Sequence, residues 1–305
     1  MRIGVSLKST YSVENPRDGV RQMVERTAAA REAHLDSLFV GDHHATGPFA
    51  YYQNAAIMGR LLAEWGPAPA GVLMLLPLWH PVLAAELLGT LASIAEGPFV
   101  LQCALGGGEQ QFAAMGVPLR ERKARFEQAL DVIRRLLDGD EVTTTEGPYR
   151  VQAARIAPLP PEPLEVWIGA TAPVAIDRAA RLGDGWMANA DAVPDEATEQ
   201  ASEYLARCAV HGRDPGVVAI RRDVHVGADH DDAERVAGPV VAAGYRGFRP
   251  EACTYGSIDE VTEQLGTYAT MGYTEVIVRH LAEDHSEVLR SLERLGSVRE
   301  ALRDA

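Results

Sequence analysis

Cysteine is scarce in this chain. There are three, Cys103, Cys208 and Cys253, an odd number, far apart and in no CxxC pair, which argues against a disulfide framework or a zinc knuckle and fits a reducing cytoplasm. Long apolar runs are also missing. The most apolar stretch, 68–101, is broken by Pro69, Pro77, His80, Pro81, Glu86 and Glu96, so it never reaches the roughly 18 uncharged residues of a membrane span and reads as core. The opening MRIGVSLKS runs straight into an alternating strand without the three-part pattern of a signal peptide, so a cytoplasmic location is expected. Positive charge is in deficit: 29 Lys and Arg against 43 Asp and Glu leave a net −14. Nucleic-acid and membrane partners are therefore not expected, and an anionic ligand must find a local positive pocket. No repeat beyond a βα rhythm, no low-complexity tract and no glycine-rich first turn of a dinucleotide-binding sheet is visible.

What is present is an ordinary globular composition, 47% hydrophobic and 24% charged, able to bury a full core. Short β-rich runs alternate with longer helical patterns, the signature of a parallel sheet built from βα units. Strands are expected at 2–7, 37–41, 70–76, 99–104, 165–169, 185–188, 218–226 and 274–279. Eight strands with intervening helices indicate a (βα)8 TIM barrel, one domain over 1–305, with loop insertions at its C-terminal face. Pro118 opens and Gly139 closes a helix whose Phe126, Ala129, Leu130, Ile133, Leu136 and Leu137 share one face. Ser257 and Glu260 stand in capping-box register. The connections 139–164 and 245–256 are long, as functional walls and lids often are.

In such a barrel the residues just after each strand build the active site. The second strand delivers Asp42, His43 and His44; the third leads to Trp79 and His80; the fourth ends in Cys103 and runs into LGGGEQQF, 105–112; the sixth reaches Met187. GATAP, 169–173, lies between a strand and a helix, where small residues expose backbone N–H groups to an anion; an ordinary tight turn is the competing reading. Adjacent histidines on a strand point to opposite faces, which disfavours a shared metal ion, and no metal site is expected.

Taken in order, RIGVSL, LDSLFVGDHH, LPLWHPVLAAELLGTLASIAEG, FVLQCALGGGEQQFAAMGVPLRERKARFEQALDVIRRLLDG, PLEVWIGATAPVAIDRAARLGDGWMAN, HGRDP and GSIDEVTEQLGTYATMGYTEVIVR resemble the luciferase-like monooxygenase family of flavin- and deazaflavin-dependent barrels. The resemblance implies a reduced flavin or F420 across the mouth. It puts His43 at the reactive ring edge with Asp42 orienting it, Cys103 and Lys123 near the cofactor, and Gly169, Ala170 and Thr171 at its phosphate. His44, Trp79 and Met187 are expected to line the substrate, in a pocket made hydrophobic by Phe49, Tyr51 and Tyr52 as well. One departure is GPF before the fourth strand, where Pro98 replaces the family's arginine.

The first reading is a monooxygenase using reduced FMN and O2 on a small organic substrate, with His43 as the proton-transferring group. The alternative is an F420H2-dependent reductase or dehydrogenase on the same fold. A metal-dependent hydrolase and a non-catalytic flavin-binding barrel are minor alternatives. FMN is favoured on the LGGG…F…GVPL…R stretch and the DHH form. A separate flavin or F420 reductase as partner and a homodimer are further expectations.

Overall fold

A computed structural model describes residues 1–47 and 50–304; Phe49, expected in the substrate pocket, lies outside them. The strands are β1 (Arg2–Leu7), β2 (Ser37–Val40), β3 (Ala70–Leu75), β4 (Phe99–Ala104), β5 (Val142–Thr144), β6 (Val151–Ala154), β7 (Glu165–Gly169), β8 (Gly185–Ala188), β9 (Val217–Val226), β10 (Cys253–Gly256) and β11 (Glu275–His280). The helices are α1 (Pro16–Glu32), α2 (Asn54–Trp65), α3 (Pro81–Ile94), α4 (Glu109–Ala114), α5 (Arg122–Leu137), α6 (Pro173–Leu182), α7 (Pro194–His211), α8 (His230–Ala242), α9 (Ile258–Thr270) and α10 (His285–Asp304).

One sheet runs β10-β9-β11-β1-β2-β3-β4-β7-β8 and returns on itself through a further β9–β8 pairing. That order is a (βα)8 TIM barrel, and all eight expected strands are present within a residue or so at each end. Buried on both faces, these strands read as near-continuous apolar runs: β2 is buried throughout and β1 beyond its first residue.

Three strands are additional. The 139–164 connection contains an antiparallel hairpin, β5 with β6. In 245–256, two short 3-10 turns precede β10, which pairs with β9 at Asp223–Val226 while β8 pairs with β9 at Val217–Ile220. β9 is long enough to hold both. Local signals set several helix ends as expected: Ser257 and Glu260 form the capping box of α9, and Gly139, at φ 87°, follows α5 in a conformation that glycine tolerates best.

Contacts divide the chain into two compact units, one of Met1–Lys8, Arg21–Phe39 and Trp167–Ala305, the other of Ser9–Val20 and Val40–Val166. In the first, Trp186 stacks between Tyr204 and Tyr273. Arg222, 0% exposed, donates to the carbonyls of Ala190 (2.9 Å) and Ala192 (2.6 Å) and lies over the Tyr268 ring, which offsets part of the cost of burying its charge. His225 and His280 are buried too, and burial pushes the His280 imidazole down to about 3. In the second unit, Tyr149 from the hairpin donates to the Trp79 carbonyl at 2.9 Å under the Arg125 guanidinium. The hairpin thereby reaches the turn that follows β3. Cys103, Cys208 and Cys253 are buried. Among the described residues no helix is long and apolar enough to cross a membrane.

Candidate active site

In the second unit the chain leaves β2 through Asp42, His43 and His44, and their side chains separate. Asp42 is 2% exposed. Its Oδ2 accepts from the Leu75 backbone N–H and the Trp79 indole N–H, both at 2.8 Å, while its Oδ1 lies 3.3 Å from His44 Nε2. The carboxylate expected to orient His43 is therefore committed to the end of β3, Trp79 and His44. This is the alternation of an extended chain, in which residues 42 and 44 share a side and 43 faces the other.

His43 is exposed. Its Nδ1 lies 3.4 Å from Gln111 Oε1, and its ring meets Tyr51 edge-on at 5.5 Å. Tyr51 is held by a short antiparallel contact between 9–11 and 50–52, including Tyr52 N–H to Ser9 O at 2.9 Å. Gln111 comes from α4, whose approach is the LGGG loop: Gly106 and Gly108 sit at φ 64° and 87°, values that L side chains adopt rarely. Arg122 Nη1 donates to the Gly106 carbonyl at 3.2 Å. A Cβ at Gly107 would meet only Arg122 Nη1, at 3.7 Å, and one at Gly108 nothing within 4 Å. The loop thus presents bare backbone beside open space, as a flat ring needs.

Two expected cofactor contacts in this unit fall elsewhere. Lys123 is exposed on α5, and the cation beside the glycine loop is Arg122. Cys103 is 0% exposed in β4 and presents no surface to a ligand. Trp79 and His44, both half-buried, pack edge-on at 5.5 Å around Asp42.

In the first unit, the turn after β7 is anchored on one side. Ala170 N–H donates to Met187 O at 3.3 Å, and Trp186 Nε1 donates to Ala170 O at 2.9 Å. Ala170 is thus removed from the expected set of phosphate donors, and Met187 serves the turn through its carbonyl. Thr171 is exposed, directly before α6, whose Pro173 sits in the first turn. A cavity of about 650 Å³ opens beside Thr171, lined among others by Asp191, Glu196, Glu199, Glu203 and Arg249. Arg249 pairs with Glu196, so this cavity repels a phosphate.

A charged cluster in the same unit escaped the sequence reading. Asp223, 0% exposed, takes Arg221 Nε at 3.0 Å and the Tyr245 hydroxyl at 2.8 Å. Burial alone would raise the Asp223 carboxyl, yet Arg221 and Arg279 hold it below the usual carboxylate range. Burial, then the Asp223 charge, push the Tyr245 phenol up. Arg279 donates to Ser6 Oγ at 2.7 Å, and Lys8 Nζ lies 5.8 Å from the centre of the Tyr245 ring. The signal was present: RRD inside an otherwise apolar strand, where charges survive only when paired or functional.

The family profile described as luciferase-like monooxygenase matches residues 1–285. The chain belongs to the luciferase-like monooxygenase family. It is similar to the F420-dependent glucose-6-phosphate dehydrogenase of Beutenbergia cavernae, 26% identical over 93% of this chain and 94% of that protein. To the enzyme of the same name from Intrasporangium calvum it is 31% identical over 59% of this chain, and there it spans 57% of the relative's length. Among solved structures it superposes on monooxygenase RslO1 from Streptomyces bottropensis with a TM-score of 0.86 at 16% identity, over 97% of this chain and 98% of that one. An F420-dependent secondary alcohol dehydrogenase in complex with an F420-acetone adduct gives 0.80 at 19%, over 99% of both chains. The oxygenating constituent of 3,6-diketocamphane monooxygenase from the CAM plasmid of Pseudomonas putida, in complex with FMN, gives 0.81 at 15%, over 98% of both chains. Luciferase-like oxidoreductases that use F420 and ones that use FMN thus share this fold, and at these identities the structural likeness speaks for fold alone.

Proposed function

We propose that this chain is an F420-dependent oxidoreductase that moves a hydride to or from a small organic substrate bearing an anionic group. The observation that carries the reading is the likeness, over 93% of the chain, to an F420-dependent glucose-6-phosphate dehydrogenase. The expected preference for FMN finds no comparable support, since the FMN-bound neighbour is only 15% identical. In the second unit the geometry is compatible with a flat cofactor ring, with open backbone at 107–108. When bound, the deazaflavin supplies a two-electron hydride carrier.

The chain's own residues do the rest. His43 takes the proton of a substrate hydroxyl, or returns it in the reverse direction, as an imidazole can do around neutrality. In the first unit Arg221 and Arg279 flank one buried carboxylate, a local positive site for an anionic substrate on a chain of net charge −14. Arginine suits this task because its planar fork meets carboxylate and phosphate oxygens in pairs.

Titrating the purified protein with F420 and, separately, with FMN tests the choice of cofactor. Saturable F420 binding at least tenfold tighter than FMN, followed by fluorescence quenching, is the expected result. Tighter binding of FMN would reverse the reading.

A further inference from the structure

We infer that Gln111 fixes the tautomer of His43, holding the proton on Nδ1 and the lone pair on Nε2. The inference rests on the reading of His43 as the proton-transferring group, and its physical basis is local. Gln111 Oε1 accepts the His44 backbone N–H at 2.9 Å. A backbone N–H can only donate, so the amide oxygen, not the nitrogen, faces this side. The other end agrees: Gln111 Nε2 points to the Gly107 carbonyl at 3.4 Å, an acceptor that would repel an oxygen. With the amide fixed at both ends, its orientation no longer depends on a choice between two indistinguishable atoms.

His43 Nδ1 lies 3.4 Å from that same Oε1. An amide oxygen has no proton to give, so Nδ1 must donate, which is the Nδ1–H form. The contact is long, and hydrogen bonds of acid–base groups tighten in the Michaelis complex. In a neutral imidazole one nitrogen donates and the other accepts, so Nε2 becomes the atom able to take a substrate proton. Gln111 is a positioning residue here, acting through His43. The LGGG loop gains a role from this arrangement: it ends where α4 begins, and α4 delivers Gln111 in its first turn.

The test is histidine-selective 15N labelling of the full-length protein, with the ring resonances of His43 assigned by their loss in His43→Gln. The expected pattern for the neutral ring is protonated Nδ1 and unprotonated Nε2. Gln111→Ala should shift it toward protonated Nε2, the form that free histidine prefers, and Gln111→Glu, which keeps an acceptor oxygen, should restore protonated Nδ1. Protonated Nε2 in the unaltered protein, or an unchanged pattern in Gln111→Ala, would overturn the inference. The spectra need no turnover. If they behave as expected while His43→Gln leaves turnover unchanged, the tautomer assignment stands and the catalytic reading of His43 fails.

Discussion

His43→Ala is expected to lower turnover by roughly 100- to 10,000-fold, the range that removal of a positioned acid–base group usually costs. Stability should barely move. His43 is exposed in the segment that follows β2, and exposed substitutions usually stay within about 0.5 kcal/mol. The informative comparison is between chemistry and binding. Loss confined to kcat, with substrate and cofactor affinity kept, is the outcome for a group that works on a proton in the transition state. Thermal unfolding of the variant checks that the fold is retained, and turnover within a factor of about three of the unaltered protein would remove His43 from the mechanism.

Asp42→Ala is expected to act in the opposite way, through stability first. The substitution leaves the Leu75 N–H and the Trp79 indole N–H without their buried acceptor and removes the carboxylate facing His44. Hydrogen bonds to a charged group contribute about 1.5–3 kcal/mol each, and an orphaned buried donor adds its own desolvation cost, so a loss of about 3–5 kcal/mol is expected. Asp42→Asn retains an oxygen for both donors and exchanges only the atom facing His44, so less than half of that loss is expected. Urea unfolding of the two variants side by side checks the ordering. Equal losses would mean that the two donors are not what Asp42 provides.

These two residues show where the sequence was legible and where it was not. The barrel could be read because its strands are buried on both faces, so apolar runs mark them without help from neighbours. β10 could not be read in CTYG, four residues whose strand character depends on lying beside Asp223–Val226 of β9. The hairpin at 142–154 is largely polar, and its turn is placed by Tyr149 and Gln128, contacts that no local pattern encodes. The family resemblance brought His43 to attention, but its partner was misassigned because adjacent residues on an extended segment cannot share a side. Lys123 was a matter of helix phase. The stripe of Phe126, Ala129, Leu130, Ile133 and Leu136 centres on the face that carries Arg122, and one residue along a helix is a turn of about 100°. Arg221 and Asp223 were open to the same treatment, since strand alternation puts them on one face with Arg222 on the other.

Under the proposed function, the cation cluster would give substrate recognition a physical form. Asp223 draws Arg221 and Arg279 close and is held in its charged state by them, so the guanidinium groups are ordered before any ligand arrives. Preorganised charge stabilises an anion with little reorganisation.

The most direct test of hydride transfer is a single turnover without oxygen. Protein, oxidised F420 and a panel of phosphorylated and carboxylated alcohols, each deuterated at the carbon bearing the hydroxyl, are mixed anaerobically, and loss of the oxidised cofactor's visible absorbance is followed. The account predicts stoichiometric cofactor reduction with at least one anionic substrate, deuterium recovered on the cofactor, and no dependence on oxygen. A reaction that proceeds only with reduced FMN and O2, placing an oxygen atom in the product, would contradict it.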